Sequence, residues 1–233
     1  MDRQNTAILL TVQLHLPVVA DQVAGLADAP GRFLQKLGSL ARLALSAGVQ
    51  KRDFLRKDWA KRPGLAPGFL LDRARLLVQP VGLDWVVATL LGQAPAESDA
   101  ALDFGRRIVG RLRDVLSEDG RSRHLEVGMD GTLVHSNPKS ETRNSNQDFG
   151  IRNSDFGFST AARPADIKDQ VRVAADLHET THLGTVTLRW CADAPPGPEE
   201  IVSSLHWLWK RSQVGRVRLA RGAQLSRQII IDS

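Results

Sequence analysis

The chain has 233 residues, 42% of them hydrophobic, enough to bury a core as one large domain or two small ones. Its formal charge of +5 and pI of about 9.9 permit an anionic partner but are too mild to establish nucleic-acid binding. One cysteine, Cys191, excludes an intrachain disulfide and any four-thiolate zinc or iron–sulfur site within this chain, and it fits a reducing cytoplasm.

Residues 8–17 (ILLTVQLHLP) begin the ordered reading. Ile8, Leu10, Val12, Leu14 and Leu16 alternate with Leu9, Thr11, Gln13 and His15, which predicts a strand that Pro17 ends by removing a ladder donor. Thr11, Gln13 and His15 also interrupt the apolar patch, so neither a signal peptide nor a membrane helix is expected. Asp28, Pro30 and Gly31 punctuate the start of a long helix over 30–57, with Phe33, Leu34, Leu37, Leu40, Ala44, Leu45 and Ala47 at helical spacing. Gly38 and Gly48 allow a neighbour to come close. The end of this helix is basic (Lys51, Arg52, Arg56, Lys57, then Lys61 and Arg62), which complements the helix dipole; an anion-binding patch is the competing reading.

A strand is predicted over 70–78, a short helix over 83–91 stopped by Gly92, and a second long helix over 98–116 with Ser98 as N-cap. Arg106, Arg107, Arg111 and Arg113 read as the solvated face of that helix. Residues 135–160 are different: polar, nearly free of aliphatic side chains, and self-similar (RNSNQDFG at 143–150, RNSDFG at 152–157). Such a segment cannot bury enough surface to offset its ordering entropy, so a disordered loop insertion is expected. Beyond it, a helix from about 164, a strand over 185–190, a helix over 198–211 and strands over 216–220 and 228–231 follow. Helices alternating with strands predict an α/β architecture. The expected organisation is a first core segment over 1–134, the insertion over 135–162, and a second core segment of the same domain over 163–233.

Several of these segments carry a family resemblance. TVQLHLP (11–17) is similar to a strand of anaerobic (class III) ribonucleoside-triphosphate reductases that reads roughly VTINLPR. Residues 33–56, ending KRDFLR, resemble the family's long helix ending KREFL, and Val81-Gly-Leu83 is similar to its VGLNEA segment with Asp84 in place of Asn. Residues 104–116 resemble the helix that follows, and Leu183-Gly-Thr-Val186 loosely matches a GGAV-like strand. The resemblance implies part of the α/β barrel of glycyl radical enzymes. Two partners follow from it: a nucleotide, and a further chain that completes the barrel. The family's chemistry also requires a radical glycine, a thiyl cysteine ahead of the first strand and a four-cysteine zinc site. Cys191 matches none of these and residues 222–233 depart from the pattern, so a degenerate or partial relative without catalysis of its own, and without a cofactor, is expected.

Two alternatives stand beside it. His178-Glu-Thr-Thr-His182 matches HExxH; on a helix His178 and His182 would share a face and hold zinc, with Glu179 as general base of a metallohydrolase. Thr180 and Thr181 disfavour a helix interior, and Gly184 reads as a cap directly behind the second ligand. A zinc site there predicts loss of metal and activity in His178→Ala. The other alternative is a basic nucleic-acid-binding protein using Arg52, Arg56, Lys57 and Arg62. The primary expectation remains a cytoplasmic protein engaging neither membrane nor nucleic acid.

Overall fold

A computed structural model describes residues 7–61, 71–129, 166–178, 184–190, 195–211, 214–221 and 224–230. The predicted insertion over 135–162 therefore lies outside the described residues. The element order is β1 (Ile8–His15), α1 (Leu16–Asp21), α2 (Ala29–Lys61), β2 (Arg75–Val81), α3 (Leu83–Leu91), α4 (Asp99–Ser122), β3 (Val127–Met129), α5 (Ile167–His178), β4 (Gly184–Trp190), α6 (Pro198–Arg211), β5 (Val214–Arg221) and β6 (Gln224–Ile230). The α/β mixture is as expected.

The strands form two three-stranded sheets, and among the described residues neither closes: the mixed α/β fold is shown and a barrel is not. In the first sheet β1, β2 and β3 are all parallel. In the second, β4 and β5 are parallel while β5 and β6 are antiparallel, a return that the sequence reading did not anticipate. Among the described residues β3 pairs Val127–Met129 with Leu76, Leu77 and Val78 of β2.

The main core lies between the first sheet and the long helices. Phe33, Leu37 and Leu45 of α2 meet Leu76 of β2 and Ile108 and Leu112 of α4, all fully buried. The Phe33 and Phe104 rings sit 6.4 Å apart in a tilted pair. A second core joins Val186 and Leu188 of β4 and Val217 of β5 to Ile167, Val171 and Ala174 of α5 and Leu208 of α6. Helix α5 serves both cores, because Val173 and Leu177 belong to the first.

Several boundaries differ from expectation for physical reasons. β1 stops at His15, and Pro17 stands in the first turn of α1, where its missing N–H costs nothing. The strict alternation in β1 breaks at Leu9: a register irregularity between Ile8 and Leu10 shifts the phase, leaving Ile8 56% exposed and Leu9 buried. The second strand begins five residues later than predicted and includes Pro80, which lies past the stretch paired with β3, where a missing donor is tolerated. Ser98 has the extended backbone of an N-cap and its carbonyl accepts the Leu102 N–H, but its hydroxyl makes no capping bond. Asp28 does cap α2: its carboxylate accepts the Gly31 N–H at 3.2 Å, in a place that a Cβ on Gly31 would occupy. For α5 the cap is Asp166, whose carboxylate accepts the Lys168 N–H at 2.9 Å. In α6, Ile201 and Leu205 are half-buried and Leu208 fully buried, as their spacing predicts, whereas Val202 and Trp209 are exposed.

Helix α4 runs six residues beyond its predicted end and closes in a Schellman arrangement. The Leu125 N–H reaches the Gly120 carbonyl at 3.0 Å and the His124 N–H reaches that of Arg121 at 3.1 Å. The left-handed position is held by His124, at φ 49°, instead of glycine. His124→Gly is therefore expected to raise stability by about 1 kcal/mol, since a left-handed non-glycine residue costs about 1–2 kcal/mol. A higher urea midpoint with an unchanged slope would verify it.

Candidate functional site

An open parallel sheet offers a ligand the crevice beyond the C-terminal ends of its strands. Here those ends are the β1–α1 junction at His15–Leu16 and the β2–α3 junction at Gly82. The two are pressed together. Gly82 has φ 83°, and a Cβ there would lie 2.6 Å from Cγ of Pro17. Pro17 thus occupies the space directly above β2.

A groove opens beside this plug, against α2. Its volume is about 470 Å³, and it is lined by Gln13, His15, Val18, Gln22, Lys36 and Leu43 among others. The Lys36 ammonium donates to the Gln22 side-chain oxygen at 2.9 Å. Val18 and Leu43 are 58% and 66% exposed, giving the groove an apolar floor that faces solvent. The lining offers amide and ammonium donors and one imidazole but no carboxylate or thiol. It is equipped to hold a ligand by its acceptors. Lys36 and Gln22 had no motif to mark them: each becomes part of a site only because α1 folds back on α2.

The residues singled out in sequence are not brought together. His178 is the last residue of α5, while Glu179, His182 and Cys191 lie outside the described residues. The common helical face that HExxH requires is thus not among the described residues, and these contain no group of three His, Cys, Asp or Glu side chains placed to hold a metal ion. His206 is exposed on α6, remote in sequence from His15 at the groove.

The basic end of α2 also divides. Arg52 is 8% exposed and donates to two main-chain carbonyls at the end of α4, His124 at 2.5 Å and Arg123 at 3.1 Å. It caps a helix, as the dipole argument implied, but the helix is α4 and not its own. Arg56 pairs with Asp72 and, at 3.8 Å, with Asp53. Lys57 is exposed, and Arg62 lies outside the described residues. The four residues proposed as a nucleic-acid patch therefore do not form one free cationic surface.

The arginines of α4 are exposed, as a solvated face requires, and Arg106 and Arg107 make further contacts. Arg106 bonds Asp103 at 2.5 Å and reaches Asp176 of α5 at 2.9 Å. Its hydrogen bond to the Asp103 carboxylate raises its pKa above the usual arginine value; desolvation opposes this and Asp176 adds to it. Arg107 stacks 5.9 Å from the Phe104 ring centre.

No protein-family model and no curated protein matches the chain. Among solved structures its neighbours are anaerobic ribonucleotide reductases. One is 15% identical with a TM-score of 0.46, covering 52% of this chain and 20% of that one. The Thermotoga maritima enzyme with dATP bound in the specificity site is 18% identical with a TM-score of 0.46, covering 54% and 22%. The same enzyme with dATP and CTP gives 15%, 0.45, 52% and 21%. The matched part thus spans about a fifth of those proteins. Likeness at this level assigns no residue a role.

Proposed function

We propose that the chain is a structural relative of anaerobic ribonucleotide reductases that contributes a β1–α2–β2 unit to a larger assembly and reduces no nucleotide by itself. The observation that carries the reading is the outer edge of β1. Its eight residues, ILLTVQLH, contain no charged Lys, Arg, Asp or Glu, and among the described residues only β2 pairs with the strand. Natural sheets guard long edges with charge, proline or a covering element, because an open edge recruits another strand. This is also the strand whose sequence resembles that of the reductases. The single cysteine supports the second half of the proposal, since the family's radical chemistry and zinc site together require several.

Two measurements test it. The hydrodynamic mass of the purified chain is expected to exceed the 25.6 kDa of a monomer, through pairing of β1 with a second copy in the absence of its natural partner. Thr11→Lys with Gln13→Lys, at two exposed β1 positions, is expected to restore the monomer. A monomeric wild-type chain overturns the edge reading. Incubated with a ribonucleoside triphosphate and reductant, the chain is expected to form no deoxynucleotide; turnover by the chain alone overturns the rest. A nucleotide remains the ligand class to titrate first, into the groove beside Lys36 and Gln22.

A further inference from the structure

The open edge of β1 has a companion surface on α2. One flank of α2 carries α4: the Arg111 guanidinium lies 3.3 Å from the place of a Cβ on Gly38, and Arg42 pairs with Asp119 at 2.8 Å. The opposite flank turns toward the β1 edge, where the groove joins Gln13 and His15 to Lys36, Leu40 and Leu43. Along that flank Lys36, Leu40, Leu43, Ala47 and Phe54 recur at intervals of three, four and seven, so they share one helical face. Leu43 and Phe54 are 66% and 61% exposed, more than any other large apolar side chain of the first sheet and its helices. Helix α1 reaches only the start of the flank, where Lys36 donates to Gln22. An uncharged strand edge and an apolar helix flank thus lie side by side.

We infer that the partner of the β1 edge is a second copy of this chain, related by a two-fold axis that passes beside Thr11. The inference rests on the edge reading above and goes beyond it: the second copy is the partner and not a stand-in for one, and it binds through α2 as well as through β1.

Three features of the chain fit that axis. An axis perpendicular to the sheet makes the two β1 strands antiparallel and keeps their helix-covered faces on one side. Thr11 then faces Thr11 of the second copy and Leu10 faces its Val12, with no like charges opposed, because β1 has no Lys, Arg, Asp or Glu. Strands lie about 4.8 Å apart, so helices riding over the β1–β2 pair of each copy come about 10 Å apart, within helix-packing range. The third feature is the match along α2, which runs antiparallel to β1. Gly48 is level with Leu10, since a Cβ on Gly48 would lie 3.0 Å from Leu76, the register partner of Leu10. Counting about 3.3 Å per strand residue and about 1.5 Å per helix residue from there puts Ala47 within about 2 Å of the level of the axis. Phe54 falls about 12 Å to one side, and Leu40 and Lys36 about 9 and 15 Å to the other. The two-fold therefore brings Phe54 of each copy between Leu40 and Lys36 of the other, on the α2 wall of the groove, with the small Ala47 where the helices approach. A knob and its seat at equal distances from one axis make the surface self-complementary, as an isologous contact requires.

The test is sedimentation velocity of the full chain over a concentration series. A monomer–dimer equilibrium with nothing larger is expected. Leu43→Glu and Phe54→Glu are each expected to weaken the dimer at least about tenfold, as loss of an apolar anchor does at an interface. Both side chains are exposed in the single chain, so circular dichroism is expected to stay that of the wild type. Position is read by cross-linking in a Cys191→Ser background, which removes the one native cysteine. Ala47→Cys is expected to join two copies through a short bismaleimide, and Glu118→Cys, exposed on α4, is expected not to. A dimer that Thr11→Lys with Gln13→Lys abolishes but Leu43→Glu and Phe54→Glu leave intact overturns this inference and keeps the edge reading. A monomeric wild-type chain, or a dimer indifferent to the β1 lysines, overturns both. Larger oligomers, or cross-linking at Glu118→Cys in place of Ala47→Cys, overturn the two-fold.

Discussion

Replacing Arg52 with alanine is expected to destabilise the chain by about 3 kcal/mol, the range seen when buried carbonyls and a buried charge lose their partners. Arg52 is 8% exposed, and its two terminal nitrogens reach the carbonyls of Arg123 and His124. Those carbonyls close α4, where backbone acceptors are unsatisfied and the dipole is negative. A cation there answers both needs, so its loss leaves acceptors without donors in a site that water does not readily reach. For a chain of this size the cost corresponds to a melting temperature lower by about 6–12 °C. Arg52→Lys is expected to recover little, because an ammonium cannot span two carbonyls as a rigid fork does. Arg56→Ala provides the contrast. Its ion pairs are solvent-exposed, so it is expected to cost under about 1 kcal/mol and to matter less as salt rises. Equal effects at Arg52 and Arg56 would show that the carbonyl contacts carry no weight.

A signal for Arg52 was present in the sequence. The buried stripe of α2 steps by three or four through Leu37, Ala41, Leu45 and Gly48, and the next step falls on Arg52. A cation in phase with an apolar stripe has to be buried and satisfied. Grouping it with its basic neighbours concealed this, and its acceptors lie 71 and 72 residues away, beyond any local pattern. The same division runs through the fold. Helices α3 and α6 have the bounds their periodicity predicted, because their caps and stripes are local. β3 was not anticipated: three residues cannot show a period, and Val127–Met129 is a strand only because Leu76–Val78 lies beside it. Part of a barrel was expected from the family resemblance, but the order of elements constrains neighbours and not how many strands meet. The groove beside Lys36 exists only through the return of α1 onto α2, and no spacing of residue types encodes that.

The same reasoning bears on the sequence resemblance. The segments that resemble the reductases, residues 11–17, 33–56 and 81–83, do assemble into one parallel unit, with β1 and β2 in continuous register from Leu10 to His15. Such a unit is what any parallel α/β protein needs, so its formation follows from burial and pairing and leaves the chemistry open. In this chain the C-terminal end of the unit is filled: Pro17 stands over Gly82, and the accessible space lies to the side, on α2.

That contact predicts the second large effect. Gly82→Ala is expected to cost about 3 kcal/mol, from two separable causes. At φ 83° a side chain pays about 1–2 kcal/mol for the left-handed backbone. The added Cβ would also lie 2.6 and 2.7 Å from Pro17 Cγ and Cδ, and the proline ring has little freedom to move away. Two other glycines isolate the terms. Gly92 ends α3 at φ 75° with nothing within 4 Å of a new Cβ, so Gly92→Ala should show the backbone cost alone, about 1–2 kcal/mol. Gly110, inside α4, has ordinary helical backbone and open space, so Gly110→Ala should stabilise by about 1 kcal/mol. Denaturant midpoints for the three variants should therefore fall in the order Gly110→Ala, wild type, Gly92→Ala, Gly82→Ala. If Gly82→Ala and Gly92→Ala prove equal, Pro17 is not seated against β2 and the crevice above the strands is open to a ligand.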